Sequence, residues 1–212
     1  KGHKLTNPIA VGDYVAFELE DKDENTVIIS DVFDRENFIV RQSTRKKYHG
    51  HIIASNLDQA FVMATLTAPR TSLGFIDRFL VAAESSNIPV VIVFNKVDTL
   101  GEEGMALLTD LRELYESIGY ETVAVSALTG FQVERIREML DNKKTLIAGH
   151  SGVGKSTLLN TLSPDITQKT AEISTFANKG VHTTTFAEMF EIFPDAYLID
   201  TPGIKELGII GL

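Results

Sequence analysis

The sequence predicts an α/β protein with a mainly parallel sheet, preceded by a small and incomplete β-barrel. Three observations carry that expectation. From about residue 57, short apolar runs alternate with amphipathic helical stretches, the pattern of a parallel sheet covered on both faces. Residues 1–55 instead carry short apolar runs separated by tight polar turns, which suits a small barrel. A glycine-rich stretch, Gly149 to Ser156, stands between an apolar run and a helical one.

In the first region Val11, Val15, Phe17 and Leu19 fall at mostly even spacing around the Gly12-Asp13 turn. Asp21 to Asn25 is a charged turn, Val27-Ile28-Ile29 opens a second strand, and Phe38-Ile39-Val40 marks a third. With so few strands, the barrel is expected to lack its beginning. Further on, strands are expected at 60–65, 90–94, 122–125, 145–148 and 196–199, with helices at 76–84, 105–117 and 133–140 and from near Lys155. The division expected is 1–55 for the barrel and 56–212 for the α/β domain.

The chain has 212 residues, 43% hydrophobic and 23% charged, the balance of an ordinary globular protein. Its longest apolar run, Ile88 to Phe94, is far too short to span a membrane. No basic-then-apolar leader opens it and it has no cysteine, which argues against disulfides and fits a cytoplasmic location. A net charge of −9 opposes long-range attraction to polyanions, so any contact with RNA must be made by a local basic patch. Both ends read as cuts in a longer chain.

Gly149-His150-Ser151-Gly152-Val153-Gly154-Lys155-Ser156, followed by Thr157, matches the G-x-x-x-x-G-K-S phosphate loop. Glycines let backbone N–H groups turn inward around phosphates, reinforced by the N-terminus of the following helix. Lys155 is placed to hold the β- and γ-phosphates, and the Ser156 hydroxyl to ligate Mg²⁺. A glycine-rich turn without ligand is the competing reading; composition alone yields the pattern in roughly one such chain in a hundred.

Asn95-Lys96-Val97-Asp98 follows another apolar strand. Guanine presents N1–H and an exocyclic amine on one edge, and the Asp98 carboxylate accepts from both. Asn95 can reach the O6/N7 side, and the Lys96 stem can lie along the base. Adenine lacks N1–H and would leave Asp98 unpaired. Ser126-Ala127 ends the next strand, where a backbone N–H can meet guanine O6.

Asp200-Thr201-Pro202-Gly203 closes a later apolar strand, 45 residues after Lys155. Asp200 is expected to reach Mg²⁺ through water, and the Gly203 N–H to sense the γ-phosphate. Between these motifs lies Gly180-Val181-His182-Thr183-Thr184-Thr185, one of whose threonines completes the metal shell. Where many GTPases carry a water-orienting glutamine after the D-x-x-G glycine, this chain has Ile204. His182 is the best local group to polarise water.

The motifs run base box, Ser-Ala loop, phosphate loop, first switch, second switch. Common GTPases begin with the phosphate loop. Joining the usual ends at Asp141 to Lys144 and opening the chain after the second switch preserves the site in three dimensions. A small barrel, this permuted order, G-x-H-T-T-T and D-T-P-G together resemble the RsgA family, also called YjeQ or YloQ, over nearly the whole chain. The resemblance implies a P-loop GTPase domain, circularly permuted, behind an OB-fold barrel that touches ribosomal RNA. It implies GTP hydrolysis stimulated by the small ribosomal subunit late in that subunit's maturation; a monomer is expected. By the same carry-over His182 is the catalytic histidine, with Lys155, and Thr184 joins Ser156 and Asp200 at Mg²⁺. Zinc belongs to a C-terminal domain of the family whose cysteines this chain lacks. A nucleotide-gated assembly module that does not need turnover stays open as the alternative.

Arg41, Arg45, Lys46, Lys47 and Tyr48 cluster in an otherwise acidic chain. They offer phosphate contacts and a stacking ring for RNA; a solvated hairpin face is the plainer reading.

Overall fold

A computed structural model describes residues 4–5, 7–21, 26–42, 49–164 and 187–200. The N-terminal strands are β1 (Lys4–Leu5), β2 (Val15–Asp21), β3 (Thr26–Val32), β4 (Phe38–Gln42) and β5 (His49–Ser55). β2 and β3 form an antiparallel hairpin, while β5 lies between parallel β1 and antiparallel β4. Among the described residues these make two separate sheets rather than one closed barrel. Val11 stands outside β2 and bridges to Ala54 instead.

The expected turn at Gly12-Asp13 is present, and the reason is packing. Gly12 has φ +93°, and a Cβ there would lie 2.1 Å from the Ser55 carbonyl oxygen. Asp13 receives two 2.7 Å bonds from the Arg35 guanidinium, a bond from the Ser55 hydroxyl and one from the Ala10 N–H. Its side chain is 1% exposed, so this charge is stabilised by a bidentate partner rather than by water.

The larger sheet follows: β6 (Gln59–Ala64), α1 (Leu73–Glu84), β7 (Val90–Phe94), α2 (Glu102–Ser117), β8 (Glu121–Ala124), α3 (Val133–Leu140), β9 (Lys144–Ala148), α4 (Lys155–Leu162), β10 (Glu188–Phe193) and β11 (Ala196–Asp200). Its strand order is β10-β11-β9-β6-β7-β8, all parallel except the antiparallel edge strand β10. Every residue of β6 and β7 is buried, as the centre of a parallel sheet requires. Side chains alternate between faces. Ala60, Val62 and Ala64 pack with Phe75, Phe79 and Tyr115 on one side. Phe61 and Met63 pack with Ile136, Leu140 and Leu158 on the other. The observed elements start up to three residues earlier than the expected ones, and β5 and β10 were not anticipated from the apolar pattern.

The chain leaves β5 for β6 through a pinned segment. Asn56, at φ +53°, donates to the Gly12 carbonyl and accepts from the Glu36 N–H. Asn37 brackets Leu57 by bonding both its N–H and its carbonyl. Lys144 Nζ donates to the Tyr14 hydroxyl at 2.7 Å and lies over that ring. These contacts seat the N-terminal strands against the starts of β6 and β9.

Burial pushes the Asp13 carboxyl up, but bonds from Arg35, Ser55 and Ala10 outweigh it and hold it below the usual carboxylate range. A depressed carboxylate contributes stability that is full above about pH 4 and lost as pH falls through its lowered folded value. Asp13→Asn is therefore expected to flatten the acid limb of a plot of urea-unfolding stability against pH. An unchanged limb would mean that the Asp13–Arg35 pair does not hold the turn.

Candidate functional site

The C-terminal ends of β7, β8, β9 and β11 lie along one edge of the sheet. Asn95, Ser126, Gly149 and Asp200 stand there, so the topology brings the motifs to one place. The strand order reverses at β6, with β9 on one side and β7 on the other. Loops diverge at such a switch point and leave a crevice for ligand.

The phosphate loop joins β9 to α4. Gly149, Gly152 and Gly154 all have positive φ. A Cβ on Gly149 would lie 2.8 Å from the Met63 carbonyl oxygen, and one on Gly154 2.2 Å from Asn95 Nδ2. α4 has no side-chain cap and no acidic residue in its first turn, which suits its leading N–H groups to an anion. Ser151, Ser156 and Thr157 are exposed and Val153 is buried. Lys155 Nζ bends over the loop, 2.8 Å from the Gly149 carbonyl oxygen and 3.4 Å from that of His150. Burial lowers its pKa, and Asp200 opposes that shift. Ser156 and Asp200 offer a hydroxyl and a carboxylate, hard oxygen donors of the type Mg²⁺ takes.

His150 packs on Phe75 with ring centroids 4.1 Å apart. Its pKa is lowered by burial, then by the Lys155 and Arg78 charges. Its side chain thus ties the loop to α1, and phosphate contact at this position falls to the backbone.

Asn95 is 4% exposed. Its Nδ2 donates to the Val153 carbonyl at 2.8 Å, and its Oδ1 accepts from the Ala127 N–H at 2.9 Å. One side chain therefore clamps the phosphate loop and the Ser-Ala loop together. Nδ2 carries two hydrogens, so the bond to Val153 is compatible with a second to guanine. Of the Ser126-Ala127 backbone N–H groups, one of which is expected at O6, that of Ala127 is engaged with Asn95 in this structure. Lys96 is left-handed at φ +65°, and its Nζ donates to the Ala68 carbonyl at 3.0 Å, which draws its stem along the β6–α1 connection. Asp98, in a short 3₁₀ turn, is exposed, as a base-reading carboxylate must be. Ser126 is buried and its hydroxyl accepts from the Thr129 N–H.

His182, Thr184 and Gly203 lie outside the described residues, as do Arg45, Lys46, Lys47 and Tyr48. Arg41 is exposed on β4, opposite His51 on β5. One residue that motif reading does not reach is Thr161 on α4, whose hydroxyl donates to the Ala127 carbonyl at 2.8 Å. Among the described residues no three His, Asp or Glu groups cluster as a metal site, and no helix is long and apolar enough to cross a membrane.

Removing the Asn95 amide leaves a buried carbonyl and a buried N–H without partners, each worth about 1–3 kcal/mol. Asn95→Ala is expected to lower stability by about 2–4 kcal/mol in denaturant unfolding. A loss under about 0.5 kcal/mol, the scale of an ordinary surface change, would show that the clamp does not hold these loops.

The RsgA GTPase family profile matches residues 32–210. The chain is 52% identical over 208 residues, 98% of its length, to the small ribosomal subunit biogenesis GTPase RsgA of Bacteroides fragilis, of which it covers 66%. It is 48% identical over 213 residues to the protein of the same name from Christiangramia forsetii, covering 68% of it. The chain thus spans about two thirds of the length of these curated relatives. Among solved structures, YjeQ from Thermotoga maritima superposes with a TM-score of 0.71 at 32% identity, over 94% of this chain and 65% of that one. YloQ, described as a circularly permuted GTPase, superposes with a TM-score of 0.65 at 26% identity, over 95% and 60%. With the permuted motif order on one sheet edge and a profile match over most of its length, the chain belongs to the RsgA GTPase family.

Proposed function

We propose that this chain binds GTP in the crevice at the β6–β9 switch point and hydrolyses it, as a switch in late maturation of the small ribosomal subunit. The observation that supports this most directly is the Asn95 clamp, which joins the base box to the phosphate loop through one buried amide. A base read by Asp98 and phosphates held by Lys155 then belong to one nucleotide. β7 and β9 are separated only by β6, about 10 Å between strand axes, a span a nucleotide bridges.

On binding, Lys155 exchanges the Gly149 and His150 carbonyls for phosphate oxygens, and the leading N–H groups of α4 meet the same charge. Mg²⁺, when bound, neutralises charge on the β- and γ-phosphates. Ser156, Asp200 and Thr184 are the residues proposed to hold it. His182 is proposed to orient the attacking water, since Ile204 has no hydrogen-bonding group to do so. The names of the relatives and the basic segment around Arg41 support a small-subunit partner, with Arg41, Arg45, Lys46, Lys47 and Tyr48 as its RNA contacts. A cytoplasmic monomer is the matching proposal for location and assembly.

GTP turnover is expected to be weak for the chain alone and to rise at least about ten-fold with purified small subunits, about 1.4 kcal/mol of transition-state stabilisation. No rise would remove the ribosomal assignment while leaving GTP binding in place. Asp98→Asn exchanges an acceptor for an amide that donates. GTP affinity is expected to fall about 10²- to 10⁴-fold, while that for the xanthine nucleotide, with its C2 carbonyl, rises. Unchanged GTP affinity in a calorimetric titration would rule Asp98 out as the base reader.

A further inference from the structure

We propose that Thr161, which belongs to none of the nucleotide motifs, is a positioning residue for guanine recognition. The proposal rests on the reading that the Ser126-Ala127 loop meets the base. Thr161 lies in the second turn of α4, the helix that begins with Lys155 and Ser156. Its Oγ1 is 2.9 Å from the Thr157 carbonyl oxygen and 2.8 Å from that of Ala127. The first contact is the ordinary bond of a helical threonine to the residue four before it. The second reaches a loop 34 residues earlier in the chain. A hydroxyl has one hydrogen, so the two carbonyls share it and the hydroxyl is held between them.

The Ala127 carbonyl matters because of what the rest of that residue does. Its N–H is bound by Asn95 Oδ1, and Asn95 Nδ2 is bound to the Val153 carbonyl. Val153 leads through Gly154 into α4, and α4 returns to Ala127 through Thr161. Three hydrogen bonds and one rigid helix thus close a ring through the base box, the Ser-Ala loop and the phosphate loop. Ala127 is gripped at both its N–H and its C=O.

Beyond Ala127 the loop is open to solvent, with Leu128 79% exposed, and the bonds it makes there are internal: the Thr129 N–H to the Ser126 hydroxyl, and the Gly130 N–H to the Ser126 carbonyl. Thr161 therefore ties this loop to the helix that carries the phosphate-binding residues. It sets where the loop stands relative to bound phosphates, and so how well the loop meets the edge of the base. A bond of this kind changes affinity for the whole nucleotide but not for its phosphates alone.

The test is calorimetric titration of the full chain and its Thr161→Val and Thr161→Ser variants, each with GDP and with pyrophosphate, in the presence of Mg²⁺. Valine keeps the shape and loses the donor; serine keeps the donor. Thr161→Val is expected to raise the GDP Kd about five-fold, the scale of one neutral hydrogen bond, and to leave pyrophosphate binding as in the parent chain. Thr161→Ser is expected to bind GDP as the parent does. Equal losses for GDP and pyrophosphate would overturn the proposal by placing the effect in the phosphate loop. Unchanged GDP binding by Thr161→Val, or a Thr161→Ser variant as weak as Thr161→Val, would overturn it too. A parent chain that binds pyrophosphate but not GDP would defeat the guanine reading itself, and this proposal with it.

Discussion

The site depends on a single buried amide. Asn95 needs a donor toward the Val153 carbonyl and an acceptor toward the Ala127 N–H, and only a carboxamide of this length offers both without charge. An aspartate would set two oxygens against each other at Val153, and an apolar residue would leave two buried polar groups unmatched. The amide fits because residue 154 has no side chain: a Cβ would stand 2.2 Å from Nδ2. Gly154 is thus required twice over, by its φ of +102° and by the neighbour it admits. Loops leaving β7, β8 and β9 are held in register by that contact, and the rest of the pocket inherits their placement.

The parallel sheet supplies the frame in which one amide suffices. β6 and β7 are buried along their whole length, so packing on both faces fixes their ends independently of any loop contact. The reversal of strand order at β6 opens the crevice, and Pro69 lies against Gly152 along one wall. The uncapped start of α4 leaves backbone donors for a ligand, at a cost in helix stability that a bound phosphate offsets. Lys155 meanwhile holds the loop through its own carbonyls, which lessens the exposure of its charge to a partly buried surrounding.

The N-terminal strands hold the other end of the same sheet. Lys144 begins β9, and its side chain is bound to Tyr14 while its backbone N–H and carbonyl are bound to Asp58. β9 has five residues, so about 13 Å separate that anchor from the phosphate loop. The N-terminal region is therefore bonded to the first residue of the strand that leads into the Gly149 loop, with one short element between. Tyr14 and the Gly149 loop thus stand at opposite ends of one short strand.

The sequence by itself determined the central strands and the motif loops. β7 is an unbroken apolar run, and β6 and β9 are apolar beyond their first one or two residues, because both of their faces are buried, and glycine at 149, 152 and 154 announces backbone that other residues rarely adopt. It did not reveal β5, whose first residues, His49, Gly50 and His51, read as part of the basic segment. Nor did it reveal β10, an edge strand with only Ile192 fully buried, where the pull of the core on the pattern is weakest. The partners of Asn95 and the reach of Thr161 to Ala127 were decided by tertiary structure alone. Hydrogen bonds between residues 32 to 58 positions apart leave no periodicity in the chain, because they depend on where packed strands and helices end.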